Sequence, residues 1–460
     1  MMTREHMRSE RITHRVRAWY LTILALALLL GGCDLTVVDP ASVDDRDLDT
    51  GLALPAVVNG AISDFFYAAG VPGHGGVFMG VAARTDELVH GDLHVGPRLL
   101  SDGVFVDHHY AASYWNHSQA ARWAAERAIP RVRNLVDDPA TSYDLATVTF
   151  IAGMANKLLG DNFCDAVFDG GGLEPHTRFL ERADSFFVEA LAITSGSEDP
   201  HLQELEHAIH GARAQTLMML GDWDRAVDEA RKVPVDFTYS IINGPSASRN
   251  RNRFWTYIRG QERFTAWGTP FVEWGVEWSG DRTEGDPRIP YDDNRPQTTR
   301  DNRRPWMAQR KYTSTSGNIR LIGGVETFLI EAEAALVKGD YQTAVEKINE
   351  LREYRNDNRP SSWLTTLPPV FADNLDDAWV LLMKERGIEF YLEGRRLADL
   401  RRWEKVPGKE KVPFKVVRQA GDGDPEDDVR YNVYEHAHGS VKMCLEISQD
   451  EKNSNPNIRS

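Results

Sequence analysis

The chain of 460 residues has only three cysteines, and this scarcity limits the metal and redox chemistry that it can support. Two of them, Cys164 and Cys444, lie far apart in the sequence and cannot form a zinc site alone. An oxidising compartment would permit a disulfide between them. Their spacing does not decide between a disulfide and two free thiols, so the sequence leaves that question open.

Histidine is missing between His210 and His436, although this stretch is rich in glutamate. Helical di-metal centres need a Glu-x-x-His motif beside their other carboxylates, so the stretch lacks the ligands for such a centre. His108, His109 and His117 cluster upstream, but their spacing matches no standard metal site, and a mixed core and surface cluster fits them better. We therefore predict no metal site and no cofactor.

An excess of positive charge is also missing: 53 Lys and Arg stand against 69 Asp and Glu, which gives a formal net charge of −16. Such an acidic surface disfavours binding to nucleic acid or to anionic lipid. A hydrophobic content of 42% and 12 tryptophans indicate a folded globular protein. A neutral ligand remains compatible with this composition.

Long apolar runs are absent after the amino-terminal region. The run Ala18–Leu30 is too short to span a bilayer, but it suits the core of a signal peptide and follows several arginines. Two glycines and Cys33 come next and resemble a bacterial lipobox. We predict a signal peptide at residues 1–32, a lipid on Cys33 and an acidic tether over residues 33–53. An uncleaved membrane anchor is the alternative.

Helical periodicity dominates the remainder, which we treat as one domain over residues 54–460. A first helix is expected at Leu54–Ala69, whereas residues 81–108 look like loop and short extended pieces. Further helices are predicted at Tyr110–Ile129, Ser142–Leu159, His176–Ile193 and His201–Leu220. This pattern favours a mostly α fold.

A repeated motif occurs in Leu220–Val227 and again in Lys338–Val345. Both segments place Gly-Asp-aromatic between two helical stretches. Glycine can end the first helix in the left-handed conformation, and aspartate can cap the next one. Ala226 and Ala344 leave room for close helix approach. The motif predicts helix pairs of the tetratricopeptide type as the scaffold, without a regular 34-residue array.

Residues 235–324, between the two repeats, are rich in Gly, Pro, Asn and Arg and show little helical period. We predict a loop-rich, irregular lobe there. Aromatic rings on loops can stack on sugar faces, because the scaffold holds them in place. The candidate ligand-facing residues are Trp267, Trp274, Trp278 and Trp306. The alternative for each ring is a place in the core, since large aromatics are usually buried.

The densest pattern lies near the carboxyl end, in Ala378–Trp403 (AWVLLMKERGIEFYLEGRRLADLRRW). Three glutamates recur there at four-residue intervals, so a helix would stack them on one face. Gly394 is expected to end or bend this helix before a second one at Arg395–Trp403. Arginines nearby can answer the carboxylates, which favours a structural ion-pair network over catalysis. The predicted network comprises Glu385, Glu389, Glu393, Arg395, Asp399 and Arg401.

The same segment resembles the signature of the SusD/RagB lipoproteins. The resemblance rests on Lys384–Phe390, Glu393–Arg396 and Asp399–Trp403, with departures at Gly387 and Leu397. It implies a SusD-like fold in which tetratricopeptide-type helix pairs are interrupted by long insertions. Shorter matches occur at Thr85-Asp86-Glu87 and in the closing segment Leu445–Ile458.

The resemblance also implies a function. A SusD-like protein would be a lipid-anchored outer-membrane protein that faces the cell exterior and captures a nutrient, most often a glycan and sometimes a peptide. It would pass that nutrient to a TonB-dependent transporter of the SusC type. Binding would rest on stacking and hydrogen bonds, without a covalent step.

Two other classes of function stay open at this point. A surface glycoside hydrolase would need two opposed carboxylates; Glu273 and Glu277 lie among the tryptophans, but nothing in the sequence orders them. A tetratricopeptide-like scaffold lipoprotein of the outer membrane would bind another protein in its repeat groove. We expect a binding protein rather than an enzyme.

Overall fold

The computed structural model describes residues 45–93, 109–245, 248–278, 284–409, 414–419, 429–432, 435–436, 439–440 and 443–458. The predicted signal peptide, Cys33, the tether up to residue 44 and His108 lie outside the described residues. Asp45–Leu48 forms a short 3₁₀ turn in a small amino-terminal unit. The second compact unit begins at Asp49.

Helices make up most of this unit. They are α1 (Leu54–Gly70), α2 (Pro72–Arg84), α3 (His109–Leu135), α4 (Tyr143–Asn162), α5 (Thr177–Thr194), α6 (Pro200–Leu220), α7 (Trp223–Ala230), α8 (Pro270–Trp274), α9 (Glu326–Val337), α10 (Tyr341–Asp357), α11 (Leu375–Glu389), α12 (Arg396–Trp403) and α13 (Gln449–Ser454).

The strands are short and scattered. They are β1 (Val89–His90), β2 (Asp165–Ala166), β3 (Glu174–Pro175), β4 (Thr238–Ile241), β5 (Phe264–Thr265), β6 (Gly275–Glu277), β7 (Asp286–Thr298), β8 (Pro305–Gln309), β9 (Ile319–Gly323), β10 (Lys415–Gln419), β11 (Val429–Asn432), β12 (Glu435–His436) and β13 (Gly439–Ser440).

The main core lies between helices that are neighbours in sequence. From α3 to α7 each helix packs against the next one, and α9 to α11 form a second series. α7 packs against α9 and so joins the two series. Fully buried aromatic side chains, among them Trp115, Phe150 and Phe187, fill the interior. The mostly α fold predicted from the sequence is therefore confirmed.

Both repeat turns form as the sequence predicts. Gly221 has φ 81° and Gly339 has φ 83°, so glycine ends the first helix of each pair in the left-handed region. Asp222 then accepts a hydrogen bond from the Arg225 amide, and Asp340 accepts one from the Thr343 amide. The α6–α7 and α9–α10 pairs are thus built by the same local chemistry.

The interval between the repeats contains regular strands as well as loops. β4 and β9 pair antiparallel, so the two ends of this lobe close on each other, with Thr238 opposite Gly323. Inside the lobe, β7 is the middle strand of a three-stranded sheet, parallel to β6 and antiparallel to β8. The sheet gives the lobe a rigid element that its composition did not reveal.

One part of the expected loop at residues 81–108 is helical. α2 runs to Arg84 although its sequence is rich in glycine, a poor helix former. Packing overrides this propensity, because Val77, Val81 and Ala82 are completely buried. At Gly80 a Cβ atom would come within 2.8 Å of the Tyr114 ring, so glycine permits the close approach of α3.

The helix in the signature segment also ends earlier than expected. α11 stops at Glu389, one turn before Gly394, and the chain then makes a turn in which Leu392 and Gly394 have φ of 56° and 71°. Distant residues hold this turn: the Glu87 carboxylate accepts a bond from the Leu392 amide, and the Tyr312 hydroxyl donates to the Leu392 carbonyl. Sequence-local reasoning could not include those partners.

A disulfide joins Cys164 and Cys444, which answers the question left open by the sequence. Backbone hydrogen bonds flank it: the Cys164 amide donates to Leu445, and the Leu445 amide donates to Asn162. The bridge therefore ties the carboxyl-terminal segment to the end of α4.

One helical stretch, Gly51–Gly70, is long and apolar enough to cross a membrane by length and composition alone. It packs along α3 and α4, and its Phe65 is buried in the main core. Core helices meet the same criterion, and these contacts fit that interpretation.

Candidate ligand groove and the ion pairs that support it

The three glutamates of the signature segment meet cations that come from other elements of the fold. Glu385 and Glu389 lie on α11, and Glu393 lies in the turn that follows. All three carboxylates are buried, so they need close partners. The contacts are Arg352 Nη2–Glu385 (3.0 Å), Arg288 Nη1–Glu385 (2.7 Å), Arg320 Nη2–Glu389 (3.1 Å), Arg320 Nε–Glu393 (3.0 Å) and Lys311 Nζ–Glu393 (2.6 Å).

The charge state of Glu389 follows from this setting. Burial alone would raise its pKa, but the guanidinium groups of Arg355, Arg320 and Arg288 together hold the pKa well below its ordinary value. The carboxylate is therefore ionised throughout the physiological range. A charged group matched by three cations is a structural anchor rather than an acid–base catalyst.

The arginines of the signature segment serve a second network. Arg386 and Arg402 both contact Asp399, at 2.9 Å and 3.0 Å. Arg402 also pairs with Glu333 at 2.7 Å, and the Trp403 indole donates to the same carboxylate. Burial would raise the pKa of Asp399, yet these arginines hold it well below its usual range.

Besides Asp399, the two arginines of the predicted network also lie apart from the three glutamates, so the prediction that they form one network with them was wrong. Arg395 contacts Glu326, on α9. Arg401 donates to the backbone carbonyl of Phe163 at 2.8 Å, and burial lowers its pKa to about 10. The structure thus brings Arg395 close to the second network and places Arg401 at the end of α4.

The Thr-Asp-Glu element near the amino end packs against the signature segment. Asp86 forms two hydrogen bonds of 2.7 Å with the Arg396 guanidinium. Glu87 accepts a hydrogen bond of 2.7 Å from the Leu392 amide, and burial raises the pKa of its carboxyl group to about 8. These contacts join segments about three hundred positions apart in the sequence.

A groove of about 390 Å³ opens beside these networks. Its size suits a small ligand. Trp278 stands on one side with 44% of its surface exposed, and the half-buried Trp363 stands in the loop opposite. Residues that line the groove are Val276, Glu277, Trp278, Pro287, Ser361, Ser362, Trp363, Leu364 and Thr365.

The wall that carries Trp278 belongs to the three-stranded sheet. The Trp278 amide donates to the Tyr291 carbonyl at 2.8 Å, which fixes the residue directly after β6. The Arg310 guanidinium lies 4.7 Å from the centre of the Trp278 ring, and Asp292 holds that arginine at 3.0 Å. One face of the indole is therefore covered and the ring orientation is set.

The opposite wall belongs to residues 358–374, the segment between α10 and α11, here named the groove loop. Two asparagine side chains of α10 each form a pair of hydrogen bonds with its backbone. Asn356 exchanges two hydrogen bonds with Leu367, at 2.8 and 3.0 Å. Asn349 does the same with Val370, at 2.8 and 2.9 Å. These hydrogen bonds fix the backbone that directly follows Ser361–Thr365.

Glu385 connects the two walls. It pairs with Arg352, whose Nη1 donates to the Pro368 carbonyl of the groove loop at 2.7 Å. It also pairs with Arg288, the residue after Pro287 of the other wall. Because one carboxylate holds both arginines, the signature helix sets the separation of the walls.

The four tryptophans singled out in the sequence take different positions. Trp278 alone among them lines the groove. Trp306 is 9% exposed and donates to the Ile258 carbonyl, so it offers no face to a ligand. Trp267 packs on a small cluster that contains Met307. Trp274 meets the Phe414 ring edge to face and is packed against the main core.

Trp363 was missed by the sequence reasoning. It lies outside the aromatic-rich interval, in a loop of Pro, Ser and Thr between the helices α10 and α11. The argument that loops on rigid scaffolds carry binding residues applies equally to it. An isolated aromatic in a polar loop was the available signal.

A second cavity of about 490 Å³ lies at the repeat turns. It is lined by residues from both turns, including Gly221, Trp223 and Gly339, and by Trp379 from the start of α11. Lys405 and Lys409 contribute charge, and Lys409 pairs with Asp376. The repeats thus form a surface concavity distinct from the tryptophan groove.

His117, from the upstream histidine cluster, is partly buried. His117 packs edge to face on Tyr67, and burial together with Arg249 lowers its pKa. Among the residues that the structure describes, no group of three or more His, Cys, Asp or Glu side chains is arranged to hold a metal ion.

Comparison with known proteins places this geometry in context. The model of the SusD family matches residues 282–460, which include β7 to β9, the groove loop and the signature segment. No curated protein matches the chain.

Solved structures match over most of the chain. A SusD-like carbohydrate-binding protein from Bacteroides vulgatus has 14% identity and a TM-score of 0.61, covering 89% of this chain and 97% of its own. A SusD-like protein from Bacteroides fragilis has 13% identity and a TM-score of 0.63, with coverages of 91% and 98%. Surface glycan-binding protein A from Bacteroides thetaiotaomicron has 15% identity and a TM-score of 0.60, with coverages of 89% and 98%. At these identities the likeness concerns the fold.

Proposed function

We propose that this chain, a member of the SusD/RagB family by the sequence of residues 282–460 and by its fold, binds a glycan in the groove between Trp278 and Trp363. The bound glycan is a nutrient, captured at the cell surface. Two similar structures are a carbohydrate-binding and a glycan-binding protein, which supports this choice of ligand class.

The observation that carries the proposal is the composition of the groove. Trp278 lines it from the three-stranded sheet and Trp363 from the groove loop, and Ser361, Ser362 and Thr365 of that loop add hydroxyl groups to the lining. Sugar rings present apolar C–H faces to aromatic rings and hydroxyl groups to polar side chains. The walls are held by backbone bonds and buried ion pairs, so little ordering entropy is lost when the ligand binds.

Capture is the first step of uptake in our proposal. Cys33 carries the lipid that anchors the protein to the outer membrane, with the groove facing the exterior. A TonB-dependent transporter of the SusC type receives the glycan. The resemblance of the amino terminus to a lipobox and the family relationship support these assignments. Co-purification of the protein with a large outer-membrane barrel would test the partner.

Binding is proposed to be non-covalent. Hydrolysis of a glycoside normally needs two carboxyl groups on opposite sides of the bond. Of the nine described residues that line the groove, Glu277 alone carries a carboxylate, and Glu273 is exposed outside that lining. The groove therefore supports recognition of a sugar better than its cleavage.

The test is a binding assay on the purified protein against neutral oligosaccharides, with Trp278→Ala and Trp363→Ala variants. Loss of either indole is expected to weaken glycan binding at least about tenfold, because buried aromatic contacts dominate such sites. Trp123→Ala is the matched control. Trp123 is 55% exposed on α3 and is not among the described residues that line the groove. Glycan binding that survives both groove substitutions would overturn the assignment of the site.

A second candidate function is protein binding at the repeat turns. The cavity of about 490 Å³ there is the observation that favours it. A scaffold would bind a partner through this cavity and would bind no oligosaccharide. Absence of glycan binding, together with co-purification of a protein that is lost in Trp223→Ala, would favour this candidate.

A further inference from the structure

Leu364 is an apolar side chain that the fold leaves open to solvent in the groove. It is 83% exposed and lines the groove from the groove loop. Leu367, three positions later in the same loop, is 4% exposed. Single exposed apolar residues are common on protein surfaces and need no special reason. Leu364 differs from them, because the lining to which it belongs also contains indole rings and further apolar side chains.

Hydrogen bonds fix the chain on both sides of Leu364. The Trp363 amide donates to the Pro360 carbonyl at 3.0 Å, which forms a turn directly before Leu364. On the other side, Asn356 holds the main chain of Leu367 through two hydrogen bonds. The segment between these two points is short. Leu364 therefore has little freedom to fold back into the core, and its side chain stays at the groove.

The three-stranded sheet adds apolar groups to the same lining. Val276 lies on β6 and Pro287 lies on β7, and both line the groove. β6 and β7 pair in parallel, so the sheet holds these two side chains in place. Leu364 thus shares the groove with two further apolar side chains and with the rings of Trp278 and Trp363. Apolar surface of this kind gains free energy when a ligand removes it from water.

Leucine and tryptophan side chains suit different parts of a glycan. A flat indole face stacks on the apolar C–H face of a sugar ring. A branched leucine has no flat face, and a sugar hydroxyl placed against it would lose water without gaining a hydrogen bond. A methyl group, as in an acetyl ester or a 6-deoxy sugar, instead buries apolar surface against leucine. A methyl-bearing substituent is therefore the part of a glycan that fits Leu364 best.

We infer that Leu364 makes this groove selective for glycans with methyl-bearing substituents, such as acetyl esters, by packing against the methyl group. The inference rests on the proposed glycan function and specifies its substrate class. The rings of Trp278 and Trp363 stack on the sugar rings, and Leu364 contacts a substituent that those rings carry. An unsubstituted glycan of the same sequence keeps the stacking contacts, lacks the contact with Leu364 and binds more weakly.

The experiment compares each oligosaccharide in two forms. Neutral α-glucan, β-glucan, mannan and xylan oligosaccharides are partially acetylated, and half of each sample is deacetylated again with mild alkali. The two forms then share one sugar sequence and one length and differ in the acetyl groups alone. Their binding to the purified protein is measured by calorimetry at neutral pH and at several temperatures. The Trp278→Ala and Trp363→Ala variants are measured in parallel, because they test the proposed function.

We expect the acetylated form to bind about fourfold more tightly than the deacetylated form, as for one buried methyl group. It should also bind with the more negative heat-capacity change, which marks the burial of apolar surface. Leu364→Ser is expected to remove both differences and to leave the affinity for the deacetylated form nearly unchanged. Leu364→Met restores an apolar side chain of similar volume and should keep the preference for the acetylated form.

Phe371→Ser is the matched control. Phe371 lies in the same loop and is 79% exposed, but it is not among the described residues that line the groove. This variant loses a larger apolar side chain than Leu364→Ser does, and it should keep the wild-type preference for the acetylated form. Loss of that preference in Phe371→Ser would overturn the assignment to Leu364.

Equal affinity of the wild-type protein for the two forms would overturn the inference and leave the proposed function intact. The same holds if the preference for the acetylated form persists in Leu364→Ser. Failure of every oligosaccharide to bind in either form would overturn the proposed function itself and the inference with it. Binding that neither Trp278→Ala nor Trp363→Ala weakens would do the same. The acetyl comparison and the tryptophan variants thus separate the two failures.

Discussion

The ion-pair networks around α11 and the groove that they support differ in almost every physical respect. The networks are buried, and cations from several elements match their carboxylates. Among the described residues that line the open groove, one carries a carboxylate and two carry indole rings. The ion-pair networks set the positions of the groove walls. The side chains of the groove determine which ligand groups those walls can contact.

This difference teaches where substitutions should act. A buried charge that loses its partner destabilises the whole fold, since it cannot be solvated. A groove side chain contacts few other residues, so its loss should change affinity and leave folding nearly intact. The comparison therefore predicts a separation between stability and binding, which can be tested at the following positions.

Arg386→Met should have the largest effect. Arg386 has no exposed side-chain surface and contacts Asp399, Glu326 and Glu333. Its removal leaves these carboxylates partly uncompensated and should cost about 3–5 kcal/mol of unfolding free energy. The shift of the urea midpoint measures this loss. Arg303→Met, at an exposed arginine, is the control and should stay within about 0.5 kcal/mol. Equal shifts of the urea midpoint in the two variants would contradict the predicted difference between buried and exposed charges.

Glu87→Gln should reveal a pH-dependent cost in the buried region. Burial raises the pKa of Glu87 from 4.5 to about 8, so the folded state retains a proton that the unfolded chain releases. The stability contributed by this group is present below pH 4.5 and is lost as pH rises to about 8. The glutamine side chain of the Glu87→Gln variant has no group that ionises in this pH range.

The Glu87→Gln variant should therefore gain stability relative to the wild type as pH rises, by on the order of a few kcal/mol. Urea midpoints of both proteins at about pH 5 and about pH 8.5 measure the change. A difference that is constant over this range would show that Glu87 keeps an ordinary pKa.

Loss of the disulfide should come next. Cys164→Ser combined with Cys444→Ser opens a loop of 280 positions and should cost about 2–4 kcal/mol. Thermal unfolding of the double variant measures this effect. Because the bridge holds the carboxyl-terminal segment and none of the described residues that line the groove, oligosaccharide affinity at low temperature should be unchanged. A large loss of affinity would mean that this segment also supports the groove.

Asn356→Ala should have the smallest effect on stability and sharpens the comparison, because it lies where the two regions meet. It removes two hydrogen bonds to Leu367 and should cost about 1 kcal/mol of stability. Oligosaccharide affinity should fall about threefold to tenfold, since the loosened groove loop of the variant must then be ordered when the ligand binds. Asn358→Ala is the control, because the side chain of Asn358, the first residue of the groove loop, donates back to the Tyr354 carbonyl of α10. Unchanged affinity in Asn356→Ala would show that the groove loop keeps its conformation without the hydrogen bonds of Asn356.

The elements that sequence reasoning predicted well are those with local causes. The repeat turns need only a glycine, an aspartate and an aromatic within three positions, and all of these can be read directly. α2 illustrates the opposite case, because its glycines favour a loop until Val77 and Val81 are buried by distant helices. The early end of α11 likewise depends on Glu87, which acts across 305 positions.

The site shows the same division. The four-residue spacing of Glu385, Glu389 and Glu393 indicated a charged face. Their cations come from α10, β7, β9 and the segment after β8, which no local pattern connects to α11. Trp278 was a candidate because it lies in an aromatic-rich interval. Trp363 was not, because its role arises only when the groove loop folds back over Pro287.

The asparagine clamps on the groove loop have a further consequence. Asn349 and Asn356 grip main-chain atoms of Val370 and Leu367, so the hold does not depend on which side chains the intervening positions carry. The side chains of residues 361–366 can therefore be exchanged without loss of these backbone hydrogen bonds. Natural variation, or deliberate grafting, can change the groove-lining side chains there while the two asparagine contacts keep the backbone in place.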